Sequence, residues 1–496
     1  MKHLLTLAAA LTAANIASAA PASPEPPSAP APATDAKSPA SPATPEEGKT
    51  APATTPGEAA LKMPVIHFEE YDLPNGLHVI LHQDRTVPVI ATYVHYHVGS
   101  KNERADRTGF AHFFEHLMFE GSANIKRGQI DKLVSAAGGN LNASTSFDRT
   151  DYHFNLPSNQ LPLALWIESE RMLHAQVDEI GVETQRKVVQ EERRLSVDNA
   201  PYGTVFENLA AEVFVGTPYA WTPIGSAQYI DQAKIDEFRA FYRHYYVPNN
   251  ATLVVAGDFD TATAKKWIDD YFAPIPKGGE IKRPEFTLKP QKKPREKTVV
   301  EETTPLPATI HAWRGPKETS KDAPALELLA DILATGRSSR LYETLVREHQ
   351  VASDVDVFPY LLENGGVVGV FVIGNHDTDV AKLDSLIEKE IASIREKGVT
   401  PEELQKAKNQ KISQLATAFS TMQSRAQNLA YFHAMFGDTN EINRQLGHIE
   451  AVTLEDIARV ARTYLTAEGV NVLRYPLPAP AAPATPAAAP AAQPKS

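Results

Sequence analysis

The sequence predicts an α+β protein made of two homologous halves, each a mainly antiparallel sheet packed with helices. Three observations lead to that class. Both halves close on the same pattern: residues 235–245 read as a helix running into Pro248-Asn249-Asn250 and an apolar strand at 251–255. Residues 454–464 read as a helix leading through Glu468-Gly469 into Val470-Asn471-Val472-Leu473. Ahead of these, Ala91-Thr92-Tyr93-Val94 matches Ala308-Thr309-Ile310-His311, and a helix follows each, the second at about 325–334. In the first half, strands at 77–82, 87–98, 141–146 and 152–156 come mostly in adjacent pairs, with helices at 109–119, 130–137, 161–173 and 182–197 between them. A stretch rich in Pro and Lys at 274–297 separates the halves, so the expected domains are 62–273 and 298–475.

The ends have a different character. Lys2 and His3, the apolar run 4–16 and the small residues Ala17-Ser18-Ala19 read as an export signal cleaved near Ala19, which points to the periplasm. Residues 20–61 and 476–496 are dominated by Pro and Ala, a composition that cannot bury a core, and read as a tether and a tail. No other long apolar run predicts an integral membrane segment. With 61 acidic residues against 49 basic ones, the net charge of −12 argues against a nucleic-acid surface. Cysteine is absent, so disulfides are excluded and any metal must be held by histidine and carboxylate.

Chemistry concentrates in His112-Phe113-Phe114-Glu115-His116. Residues four apart on a helix lie one turn above each other, so His112 and His116 can offer two imidazoles to one ion. Two imidazoles plus a distant carboxylate leave a fourth position for water on catalytic zinc, and Glu115 is then free to act as the base. The order H-x-x-E-H is the inverted zinc-protease signature. Aligning Gly121 with Gly336 sets Glu327, Ala330 and Asp331 against His112, Glu115 and His116, so only the first half keeps this set. His95, His153, His311, His349 and His433 lack ligand spacing, and the tyrosines at 242, 245 and 246 read as packing residues. The run 402–436 reads as a scaffold helix.

Further motifs stand in order along the chain. After His112–Glu115 and Gly121-Ser122 come Gly138-Gly139-Asn140-Leu141-Asn142-Ala143 and Gln185-Arg186-Lys187-Val188-Val189-Gln190-Glu191-Glu192. Pro201-Tyr202-Gly203, Pro218-Tyr219-Ala220-Trp221-Thr222-Pro223-Ile224-Gly225 and Tyr246-Val247-Pro248-Asn249-Asn250 follow. On these the chain resembles the pitrilysin/insulinase-type zinc peptidases, nearest the two-domain class of mitochondrial processing peptidase and its bacterial relatives. The resemblance covers roughly residues 64–475. It implies one Zn2+ per chain, held by His112, His116 and Glu192, with Glu115 as general base. Glu191 is the rival third ligand; neighbouring helix positions point about 100° apart, so only one can face the metal, and the family register favours Glu192. Gln185 stands where many relatives carry glutamate.

The resemblance also implies a substrate site. Asn142 and Ala143 fall on the sheet edge beside the zinc, where a peptide would add as an extra strand. Arg347 matches the arginine that family members bring from the non-zinc half to grip substrate, but Ser353 or Asp354 stands where the accompanying tyrosine belongs. That departure predicts a hetero- or homodimer in which a related chain supplies the arginine–tyrosine pair. The function expected is zinc-dependent endopeptidase action on unfolded or flexible peptides. The alternatives are a non-catalytic peptide-binding or assembly subunit, against which the intact His112, Glu115, His116 and Glu192 set speaks, and a structural zinc site, which would not need Glu115.

Overall fold

A computed structural model describes residues 63–478. The expected signal peptide, the tether and all but the first residues of the tail lie outside the described residues. The first half runs β1 (Glu69–Asp72), β2 (His78–Gln83), β3 (Val89–Tyr96), α1 (Phe110–Leu117), α2 (Ile130–Ala136), β4 (Asn140–Thr145), β5 (Thr150–Pro157), α3 (Leu161–His174), α4 (Glu179–Arg193), α5 (Val205–Val213), α6 (Ala227–Gln232), α7 (Ile235–Tyr245), β6 (Ala251–Gly257) and α8 (Thr261–Phe272). The second half runs β7 (Arg295–Thr298), β8 (Ala308–Gly315), α9 (Ala323–Ala334), β9 (Ala352–Tyr360), β10 (Gly366–Gly374), α10 (Val380–Lys397), α11 (Pro401–Ala418), α12 (Met422–Phe436), α13 (Gln445–Ala451), α14 (Leu454–Tyr464) and β11 (Asn471–Tyr475).

The duplication is visible in the pairing of strands. The first sheet has the order β1-β2-β6-β3-β5-β4 and the second β7-β11-β8-β10-β9. Set β1 aside and the two match strand for strand. Each has one parallel pair, β2 with β6 and β7 with β11, and antiparallel neighbours elsewhere. The α+β class with mainly antiparallel sheets follows directly.

Central strands are apolar on both faces because both faces are covered. In β6, Leu253 and Val255 join the core built with the first half's own helices. Val254 and Ala256 face the other way, with Ile80, Ala91 and Tyr93, against Ala426, Leu429 and Ala430 of α12. The second sheet is covered reciprocally: Ile310, Phe371 and Leu473 pack against Val205, Leu209 and Val213 of α5 and against Tyr202 and Phe214 beside it. Each half therefore lends one helix to the outer face of the other half's sheet, and the apolar cores span both halves; β7 begins at Arg295, inside the segment expected as a linker.

Several expectations shift. The run 402–436 is two helices, because Thr421 breaks it and caps α12, its hydroxyl accepting the Ser424 N–H at 3.1 Å. The expected helix at 182–197 starts earlier, where the Asp178 carboxylate accepts the Gly181 N–H at 2.7 Å, and ends in a π-turn over Arg194–Asp198. The helix α5 was not expected; its apolar face is matched to the other half's sheet, which a local pattern does not reveal. Among the described residues no helix is long and apolar enough to cross a membrane.

Ala426 and Ala430 are fully buried, and their small side chains let α12 lie close on the first sheet. Ala426→Leu is expected to overpack this contact and destabilise the protein by about 1–3 kcal/mol, read as a lower thermal unfolding midpoint.

Candidate metal centre

The helix α1 is held as a rigid element. Phe113 and Phe114 are fully buried, with ring centroids 4.5 Å from Phe238 and Tyr246. Gly109 precedes it with φ +95°, a left-handed conformation that suits glycine. Gly225 lies so close that a Cβ there would come within 2.3 Å of the Gly109 Cα. Glu103 caps the helix from outside, accepting the N–H of Gly109 at 2.9 Å and of Ala111 at 2.7 Å. Burial pushes its carboxyl up to about 8, against those two hydrogen bonds.

From this base His112 and His116 project toward α4. Their Nε2 atoms are 3.3 Å apart, with the rings at 84°. Glu192 closes the triangle, Oε1 3.5 Å from His112 Nε2 and Oε2 3.3 Å from His116 Nε2. Tetrahedral zinc with bonds of about 2.0–2.1 Å spaces its ligand atoms about 3.3–3.4 Å apart. With one ligand atom from each residue lying within 4.8 Å of the others, the two imidazoles and the carboxylate can converge on one ion. Burial alone would raise the Glu192 carboxyl, but hydrogen bonding and charge from both histidines hold it well below the usual range. Burial alone would lower His112, and Glu192 outweighs it, so its imidazole is raised. Glu191 turns away, paired with Arg194 on the exposed side of the helix at 2.5 Å.

Glu115 lies in the same cluster with a partner that the sequence reading missed. The Thr145 hydroxyl donates to Glu115 Oε2 at 2.6 Å. Thr145 is fully buried, and its neighbour Thr150 spends its own proton on the Val98 carbonyl at 2.9 Å. Burial pushes the Glu115 carboxyl up, against the charges of His112 and His116. Strand alternation was the available signal: Thr145 lies two residues beyond Ala143 and on the same face.

Gln185 does not face the triad. It donates to Glu120 Oε1 at 2.6 Å, in a buried network with Arg127. Here a neutral donor suits the buried carboxylate of Glu120, where a second carboxylate would repel it. Asn142 and Ala143 sit on β4, the edge of the first sheet. The Asn142 side chain accepts the Ala143 N–H at 2.8 Å, and the Ala143 side chain is buried.

Residues 78–225 match the family model described as Insulinase (Peptidase family M16), and residues 232–411 match Peptidase M16 inactive domain. A protein named zinc protease PqqE, from Helicobacter pylori, is 30% identical over 405 residues, which is 80% of this chain and 90% of that one. The chain belongs to peptidase family M16. The crystal structure of a protease from Helicobacter pylori superposes with a TM-score of 0.79 at 28% identity, over 83% of this chain and all of that one. The periplasmic protease PqqL of Escherichia coli shares the fold, with a TM-score of 0.70 at 20% identity over 84% of this chain and 48% of that longer one.

The second M16 half shows what replaces the histidines. Glu327 on α9, aligned with His112, pairs at 2.7 Å with Lys411 on α11. An ammonium group sits at the helix crossing that corresponds to α1 with α4. Asp331, aligned with His116, is half-buried and accepts from Thr335 at 2.7 Å. Arg347 lies on a π-turn over Tyr342–Glu348, 62% exposed, 2.5 Å from Glu343. Among the described residues no hydrogen bond or ion pair joins Arg347 to the triad.

A buried ionic joint ties the second half to the turn before α1. Lys101 is fully buried and bonds both Asp148, at 2.8 Å, and Glu363 of the β9–β10 loop. Glu363 also meets His97 at 2.8 Å, and Asp148 accepts the Tyr219 hydroxyl at 2.6 Å. Burial would raise the Glu363 carboxyl, but His97 and Lys101 hold it well below the usual range. A carboxyl depressed in the folded state stabilises above its unfolded pKa, about 4.3, and loses that contribution as pH falls through the folded value. Acid below about pH 4 is therefore expected to lower the unfolding midpoint. Lys101→Met removes the cation from a buried Asp148 and a partly buried Glu363 and is expected to cost about 3 kcal/mol at pH 7, with a shallower acid dependence below pH 4, both read by thermal unfolding across pH.

Proposed function

We propose that this chain is a zinc-dependent endopeptidase acting on unfolded or flexible peptides. The observation that carries the reading is the triangle of His112, His116 and Glu192, with ligand spacing, beside a buried Glu115 whose carboxylate is oriented by Thr145. The residues that would hold the catalytic metal are His112, His116 and Glu192, in the half spanning 62–273, while the half spanning 298–475 has no counterpart of this set among the described residues. When bound, a zinc ion supplies Lewis acidity, acidifying water and polarising a carbonyl oxygen.

This chain's residues do the rest. Thr145 occupies Glu115 Oε2, so Oε1 is the oxygen that takes the proton from the attacking water. Glu115 then delivers that proton to the leaving amine nitrogen. The substrate lies along β4 as an added strand, which requires an extended peptide and excludes folded proteins. To pair there it displaces the Asn142 side chain from the Ala143 N–H, so Asn142 and Ala143 form the substrate edge. The chain is exported to the periplasm in this reading. It works with a related chain that supplies an arginine–tyrosine pair, since Arg347 is engaged with Glu343 and no tyrosine stands at 353 or 354. A non-catalytic peptide-binding subunit is the alternative, and it leaves Glu115 without a task.

Hydrolysis of a quenched flexible peptide by the zinc-loaded chain tests the reading. Glu115→Gln is expected to lower kcat by about 10²–10⁴-fold with bound zinc unchanged; full activity in that variant would rule the mechanism out. Thr145→Val is expected to lower kcat with little change in KM, and Thr145→Ser to restore it. If turnover of the chain alone is slow, adding a related chain that bears the arginine–tyrosine pair is expected to raise it. No rise would count against the shared site.

A further inference from the structure

Far from α1 in sequence, Glu70, His78 and His433 bring three potential ligand atoms within 4.8 Å of one another. Glu70 is on β1, His78 opens β2, and His433 belongs to α12, the helix lent by the other half. The ring of His78 is already oriented. Its Nδ1 lies 2.8 Å from Asp72 Oδ1, which makes that nitrogen the protonated one and turns the Nε2 lone pair inward. Nε2 is buried and has no hydrogen-bond partner among the described residues. Its nearest carboxylate oxygen, Glu70 Oε2, is 3.4 Å away. That is long for a hydrogen bond to a ring N–H, but it matches the 3.3 and 3.5 Å that separate Glu192 from His116 and His112. A carboxylate on the far nitrogen is the usual support of a metal-ligating imidazole.

The His433 ring stacks on His78, with centroids 3.5 Å apart and planes 5° apart. The Thr439 hydroxyl donates to Glu70 Oε2 and lies 3.3 Å from His433 Nδ1, linking the two remaining members.

We propose that Glu70, His78 and His433 form a second metal site, taking a divalent transition ion of the class that favours imidazole and carboxylate, with zinc as the ligand to test first. To engage the ion, His433 turns out of its stack so that its in-plane lone pair converges with that of His78, which Asp72 keeps in place. The ion joins the β1–β2 hairpin to α12. It is a clamp between the halves and takes no part in peptide hydrolysis. The proposal does not rest on the catalytic reading.

Zinc bound to the full chain, counted by mass spectrometry after dialysis against micromolar zinc, tests it. Two zinc ions are expected in the unaltered chain, and one each in His433→Ala, Glu70→Gln and His112→Ala. Zinc is expected to raise the thermal midpoint of His112→Ala, and that rise is expected to vanish when His433→Ala is added. Peptide hydrolysis by His433→Ala is expected to match the unaltered chain. One zinc in the unaltered chain that persists in His433→Ala and Glu70→Gln, or a second zinc indifferent to both, overturns the second site. Retention of both ions in His112→Ala would instead overturn the catalytic centre, so the two failures are distinguishable.

Discussion

Each sheet is apolar on both faces, and each half covers only one face with its own helices. Val254 and Ala256 on one sheet, and Ile310 and Phe371 on the other, would meet water without the helix that the opposite half provides. At about 25 cal/mol per Å² of apolar surface, such a face is a strong driving force for the halves to dock. The exchange of α5 and α12 thus makes two folds into one unit. It also fixes where the second half's β9–β10 loop meets the first, because Glu363 reaches Lys101 only once the sheets are paired.

That joint bears on the metal centre through a short path. Lys101 belongs to the turn over Ser100–Asn102, and the next residue, Glu103, caps α1. Two imidazoles one helical turn apart can converge on an ion only if α1 does not fray at its first turn, where His112 sits. The cap, the Gly109–Gly225 contact and the aromatic packing of Phe113 and Phe114 all act on that turn. Glu192 arrives from α4, so the triangle also depends on how α1 and α4 cross, which Gln185 and Glu120 help to hold.

Much of this was legible in the sequence, and the rest was hidden for physical reasons. The helix–turn–strand pattern at the end of each half revealed the duplication, because local periodicity survives divergence. The spacing of His112 and His116 predicted that the two imidazoles share one helix face, because helical geometry fixes it. The separate status of α12 was not legible: a helix that serves another sheet carries an apolar pattern much like one that serves its own. Thr145 could be reached only through strand alternation from Ala143, because a hydroxyl in a strand has no distinguishing motif of its own. His433 was set aside for lack of ligand spacing, a criterion that tests only neighbours in sequence. His78 and His433 meet because of the helix exchange, and nothing local in either segment encodes that.

The two halves also show what the helix crossing itself demands. In the second half Glu327 is met by the fixed charge of Lys411. In the first half the same crossing holds a partly buried Glu192, and among the described residues its ion-pair partners are His112 and His116. The carboxylate drives His112 toward its protonated form, whereas binding a metal needs both rings neutral. Proton and metal therefore compete for the same lone pairs. Lysine satisfies that electrostatic requirement permanently but offers no open coordination position. The first half instead leaves a place for an exchangeable cation, and on the proposed reading that difference is what would give one copy of a duplicated fold the means to do chemistry.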